Sequence, residues 1–366
     1  MAEPFIYDSH YQVDKPLAFL DLTIETALPA SSSSDDALAR RLTAGAKRHP
    51  VRADGQLAGW KANDDQMRYW IGNCHSTELL SRQNAYDYWL MNFVWASAFS
   101  KTRNYWGEVD ARRSGVVMLL LLRWAWIFDA PLIMGIAKKI QEIGQCDVGA
   151  LVSKDANANY VEEIFAAAFA ALREISTNVR ERTTYRAKRD EIAKGFKYNT
   201  RRHKVCTHFS LLAESGLMVE VGGAKELHPG LAKLLQRFGS VDEVVTATMR
   251  QGSLGRGTPL YLELIERVFG HKGEVIEEID DGYWAARLPE ISRYWAQIVK
   301  WDRKFLGIRA LAELFVVDSL LAGKPVATPA SWQTYLSRRA SVAPEELTVH
   351  VDRFGRIEFL KLNESS

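Results

Sequence analysis

The stretch Arg202-His203-Lys204-Val205-Cys206-Thr207-His208 places an arginine, a histidine directly after it and a second histidine within one short segment. Such a set can act on a phosphodiester. A guanidinium holds the phosphate charge, and an imidazole, which titrates near neutral pH, moves a proton. The segment also sits in a basic island. From Arg180 to Lys204 ten residues are basic (Arg180, Arg182, Arg186, Lys188, Arg189, Lys194, Lys197, Arg201, Arg202, Lys204) and three are acidic (Glu181, Asp190, Glu191), a net +7 in a chain whose whole charge is +2. An island of this kind is the electrostatic footprint of a phosphate-backbone contact, the main source of non-specific affinity for nucleic acid. A solvated charged helix has the same composition, so charge alone does not decide between them.

The elements that must position these residues can be read from spacing. Val205, His208, Phe209 and Leu212 recur at the three-and-four interval of one helix face, while Arg201, Arg202, Lys204 and Thr207 fall on other faces. Gly216 predicts the end of that helix, and Leu217 an apolar contact back to its last turn. Leu217 to Val221 predicts a strand, Gly222-Gly223 a two-residue turn, Ala224 to His228 the return strand, and Pro229 the first turn of another helix. Upstream, Val161, Ile164, Phe165, Ala168, Phe169, Leu172 and Ile175 predict an amphipathic helix that Asn157 or Asn159 can cap. Residues 176 to 187 then predict a connection. A second helix follows around Glu191-Ile192-Ala193, ahead of Gly195 and Phe196, with a turn at Lys197 to Arg201.

This order resembles a winged-helix domain over about residues 159–237, roughly 80 of 366 residues. The segment from His208 to Leu217 is similar to the end of the recognition helix in bacterial winged-helix regulators. From Ile192 to Gly216 the chain is about two residues longer than that pattern. The resemblance implies contact with double-stranded DNA through Arg186, Lys188, Arg189, Lys197, Arg201, Arg202, Lys204 and Thr207. Winged helices also serve as protein-docking modules. A second resemblance competes for the same residues, since Arg202, His203 and His208 match the R-[NHD]-x4-H pattern of HEPN ribonucleases. It implies RNA cleavage by those residues at a dimer interface. That pattern has three defined positions, and His208 also belongs to the apolar helix face.

The remaining sequence bounds the setting. At 366 residues, 47% hydrophobic and 25% charged, the chain can build two or three domains with substantial cores. Cys74, Cys146 and Cys206 are odd in number and widely spaced, which argues for a reducing cytoplasm. The first residues lack the basic start and apolar core of a signal peptide. Ser31 to Ser34 followed by Asp35 and Asp36 predicts a helix running to about Ala46. Between Trp60 and Trp126, Tyr86, Trp89, Leu90 and Phe93 follow helical spacing and predict a buried helix face. Aromatics interleaved with Arg82, Lys101, Arg103, Arg112 and Arg113 can also stack on bases. Val116 to Leu122 is uninterrupted and apolar but too short to span a membrane, so it predicts a central buried helix in which Arg123 and Asp129 satisfy one another or neighbouring backbone.

Beyond Gly239, Val241 to Met249 and Pro259 to Phe269 predict helices around a glycine-rich loop at 252–258 that lacks a G-K-[ST]. Glu274, Glu277, Glu278, Asp280 and Asp281 have no histidine at ligand spacing and predict a solvated face. Tyr294 to Leu321 predicts two helices broken by Pro325 and Pro329, and Trp332 to Ala340 a third. Thr348 to Asp352 with Arg356 to Leu362 predicts a hairpin. Helix then hairpin repeats the winged-helix order, which makes this hairpin a candidate second wing.

The predicted fold class is therefore mainly α, with helical domains flanking an internal winged-helix module and a small C-terminal β-hairpin. The expected domains are an aromatic-rich helical domain at 1–150, the winged-helix domain at 151–239 and a C-terminal helical domain at 240–366. No nucleophile elbow, P-loop, HExxH or paired-cysteine zinc signature is present, and no metal or cofactor is expected. The expected function is that of a cytoplasmic DNA-binding subunit, with double-stranded DNA and partner protein subunits as ligands and no membrane contact. The embedded position of the module points to a larger nucleic-acid-processing or genome-defence (antiviral) assembly. A HEPN-like ribonuclease and a non-catalytic adaptor stand as alternatives.

Overall fold

The helix starts that capping residues predict recur in the computed structural model, which describes residues 22–23, 26, 34–47, 63–76, 80–82, 89–91, 111–144, 147–152, 159–176, 178–249, 258–299, 306–351 and 355–363. Ser34 accepts the Ala37 N–H at 3.3 Å and opens α1, Asp35–Ala46. Helix α2, Asp64–Ser76, lies against it, and the Thr43 hydroxyl donates to Asp64 Oδ1 at 2.7 Å. Two short strands follow, β1 (Leu80–Arg82) and β2 (Trp89–Met91), paired antiparallel. Trp89 and Leu90 are thus in a strand and not on the helix that their spacing predicts; aromatic side chains suit a pleated surface as well as a helix face, and so short a window does not separate the two. Tyr86, Phe93 and the basic residues Lys101 and Arg103 lie outside the described residues.

The organising element is α3, Ala111–Ile143, a 33-residue helix containing Pro131. Residues 121–126 and 129–138 are buried on every face, as befits a helix apolar all round inside a protein core. No helix among the described residues is long and apolar enough to cross a membrane. Around α3 are laid α5 (Tyr160–Ile175), which follows the single turn α4 (Val148–Leu151), then α7 (Tyr198–Glu214), α8 (Pro229–Leu235), α9 (Val241–Met249) and α12 (Ile308–Leu321). Gly135 makes one of these contacts close. A Cβ there would stand 2.8 Å from Ile164 Cγ2 of α5 and 3.3 Å from Val245 Cγ2 of α9. The resulting core runs without a break from Leu22 to Leu360, so packing crosses the borders near 150 and 239 at which separate domains were expected.

Arg123 and Asp129 do not meet. Six residues turn a helix by about 600°, which leaves the two side chains about 120° apart around α3. Arg123 points to α12, where its Nε lies 2.8 Å from Glu313 Oε2 and its guanidinium covers the Tyr261 ring at 4.5 Å. Asp129 points to α7 and meets His208.

Toward the C-terminus come α10 (Thr258–Phe269), β5 (Val275–Ile276), α11 (Asp281–Val299), β6 (Leu306–Gly307), α12, β7 (Val326–Ala327), α13 (Pro329–Val342), β8 (Leu347–Val351) and β9 (Ile357–Leu362). Residues 251–257, with most of the glycine-rich loop, lie outside the described residues. Helix α12 is closed by Gly323 at φ 60, with Lys324 N–H donating to Ser319 O at 2.8 Å and Gly323 N–H to Leu320 O at 3.1 Å. A glycine closure therefore ends it ahead of Pro325, and Pro329 instead begins α13. Strand β6 joins the predicted hairpin to give a three-stranded sheet in the order β6-β9-β8, while β5 and β7 pair in parallel. The fold is mainly α, with a few short strands in small sheets.

Candidate nucleic-acid interface

Asn178 builds the first part of this surface. Its Oδ1 accepts the N–H groups of Arg180 at 2.8 Å and Glu181 at 3.4 Å and starts helix α6, Val179–Ile192. The stretch 176–187, expected as a connection, is thus largely helix. Helix α6 lies along α5, held by Tyr185 beside Phe169, with ring centroids 6.1 Å apart, and by buried Ile192. Almost everything else on it faces solvent. Arg180, Arg182, Arg186 and Arg189 are exposed and Lys188 is half-buried. The pair Arg186–Asp190, at 4.0 Å and largely exposed on both sides, does little to neutralise the helix.

The turn between α6 and α7 falls at residues 193–197 and not at Lys197 to Arg201. Gly195, at φ 82, donates its N–H to Ile192 O at 2.8 Å, and the chain then enters α7 at Tyr198. Lys194 and Lys197 are exposed on this turn. Phe196 is folded inward, edge-on to Phe165 at 5.9 Å. Its N–H donates to Glu162 Oε1 at 2.7 Å.

Glu162 takes a second donor. Arg201 Nε lies 2.7 Å from the same Oε1, and Arg201 Nη2 donates to Asn159 Oδ1 at 3.0 Å. Asn159 therefore begins α5 without capping it through its side chain. Arg201, expected on the DNA face, is an ion-pair partner of Glu162 with its side chain 12% exposed. Its neighbour Arg202 is exposed. The backbone of His203, Lys204 and Thr207 belongs to α7, but their side chains lie outside the described residues.

The inner face of α7 is as its spacing predicts, with Val205, His208, Phe209 and Leu212 buried. His208 is 2% exposed and its Nε2 lies 3.1 Å from Asp129 Oδ2, itself fully buried. Arg202 thus faces outward and His208 inward. A ribonuclease needs both at the scissile phosphate, and protein covers one of them.

Helix α7 ends at Gly216, φ 74, with Leu217 N–H donating to Leu212 O at 2.9 Å and Gly216 N–H to Ala213 O at 3.2 Å. The hairpin follows as β3 (Met218–Val221) and β4 (Ala224–Leu227), turned by Gly222 and Gly223, both at positive φ. It is exposed along most of its length and bears Glu220, Lys225 and Glu226, so it carries no positive surplus. His228 caps α8 by accepting the Gly230 N–H on Nδ1 at 3.0 Å, and burial holds its pKa below the ordinary histidine value.

The chain matches no family model, no curated protein and no solved structure. What this surface can do must therefore be read from its own geometry. Spacing identified the buried face of α7 and the hairpin. Arg180, Arg182 and Lys194 were visible as charge but were not assigned to the face. Glu162 gave no signal as a partner of Arg201, because an acid in the first turn of a helix already has a reason to be there.

Proposed function

We propose that residues 159–237 form a winged-helix module that binds double-stranded DNA along the phosphate backbone, and that the protein is a cytoplasmic DNA-binding subunit of a larger nucleic-acid-processing or genome-defence assembly. The observation that carries this reading is α6. A helix that is polar on nearly every face buries too little to account for its own sequence. Exposed Arg180, Arg182, Arg186 and Arg189, continued by Lys194, Lys197 and Arg202, form the kind of surface that releases counterions from a polyanion. The contact is accordingly placed on α6, the 193–197 turn and the first turns of α7. The wing, with two acids and one lysine on its strands, contributes shape and no phosphate pairing.

Fluorescence anisotropy with a labelled duplex across a salt series tests this. Removing one phosphate-binding side chain should flatten the dependence of log K on log salt by about 0.9, so R186A/R189A should flatten it by about 1.8. Negligible duplex binding by the intact chain would overturn the reading and leave the module as a protein-docking surface.

A further inference from the structure

We propose that Glu162 is a positioning residue that holds Arg201 off the duplex, so that the adjacent arginines 201 and 202 have opposite roles; this rests on the DNA-binding reading above. Glu162 is 6% exposed, and its Oε1 receives both the Phe196 N–H of the turn and Arg201 Nε, each at 2.7 Å. One carboxylate oxygen thereby ties the start of α5 to the α6–α7 turn and to the first turn of α7. The other oxygen, Oε2, is buried and has no hydrogen-bond partner among the described residues. A carboxylate in that state depends on its cation. Were Arg201 to leave for a phosphate, Glu162 would be left as a buried, unpaired charge, which costs far more than one exposed phosphate contact contributes. A second tie, from Arg201 Nη2 to Asn159 Oδ1 at 3.0 Å, holds the guanidinium at the start of α5. Arg202, one residue on, is exposed. The consequence is a charge on the DNA-facing helix that is used internally, to set the spacing between the phosphate contacts of α6 and those of α7.

The test compares the full-length wild type with R201Q, R202A, E162Q and E162Q/R201Q, using a fluorescein-labelled mixed-sequence DNA duplex and anisotropy from about 50 to about 200 mM KCl, with a thermal melt of each protein. R202A should flatten the salt slope by about 0.9, and R201Q should leave it unchanged. In E162Q the amide oxygen still accepts from Phe196, but the charge that retains Arg201 is gone. Its slope should steepen by about 0.9, an extra loss of about 3.5-fold in affinity across that salt range, and E162Q/R201Q should return to the wild-type slope. Wild-type binding with R201Q flattened as much as R202A would overturn this inference alone. An unchanged slope in a folded E162Q would do the same. If either single variant does not fold, the charge-neutral E162Q/R201Q set against R202A decides: the wild-type slope is expected, and a flattening equal to that of R202A would overturn the inference. No duplex binding by the wild type would overturn both this inference and the DNA reading.

Discussion

Arg123 and Glu313, 190 residues apart in the chain, share a buried ion pair between α3 and α12, with the guanidinium Nε 2.8 Å from Oε2. Both side chains are almost wholly shielded from water. Removing one partner strands the other charge, so R123M alone should lower unfolding free energy by about 3–5 kcal/mol. Replacing both, as in R123M/E313L, should recover most of that loss, because two well-packed apolar groups carry none of the desolvation cost of the pair. Urea unfolding of the wild type and the two variants measures this; equal losses in the single and double variants would show that the pair itself is not the stabilising unit.

His208 should be a stability residue and not a catalytic one. H208A takes the imidazole away from the buried Asp129 carboxylate, and the midpoint of urea denaturation should fall by the equivalent of about 3 kcal/mol. RNA incubated with purified wild type should show no cleavage that this substitution abolishes. Cleavage that disappears in H208A while the fold persists would reverse the assignment.

The pH dependence of stability should carry the mark of His228. Its Nδ1 accepts the Gly230 N–H, which requires the neutral ring, and burial depresses its pKa below the ordinary 6.5. For a histidine whose folded pKa is lowered, the contribution to stability is complete above the unfolded value and is lost as pH falls through the folded one. Thermal stability should therefore decline as pH falls below about 6.5. H228N, which keeps an N-cap acceptor without titrating, should lose less over the same range in differential scanning calorimetry.

Cys74 should resist thiol reagents in the native protein. It is fully buried, and burial pushes its thiol well above the ordinary range, so little thiolate forms and none of it is accessible. Iodoacetamide labelling followed by peptide mass spectrometry should show Cys74 modified in urea and unmodified in buffer. Rapid native labelling would mean that the contact between α1 and α2 opens readily.

Much of the fold was legible because its signals are local. Ser34 marks a helix start, Gly216 a helix end, Gly222-Gly223 a turn and Pro229 a first turn, and each acts within a few residues of itself. What was not legible depends on partners far away in sequence. Nothing beside Arg123 announces Glu313, nothing beside Asp129 announces His208, and nothing beside Arg201 announces Glu162. Trp89 failed for another reason, since three residues in a strand carry too short a pattern to compete with the helical spacing around them.

The sharing of α3 between the segment 159–237 and its flanks bears on how this protein can be cut, swapped or inherited. Helices α5, α7 and α8 lean on a helix that belongs, in sequence, to the region before them, and α12 leans on it from the region after. A fragment excised at 151 and 239 would leave with its inner faces uncovered and should be recovered as aggregate, whereas one begun at 111 would keep its support. The same dependence makes the segment a poor cassette. A gene fusion or recombination event that moved it without α3 would transplant the charged face and lose the scaffold that presents it.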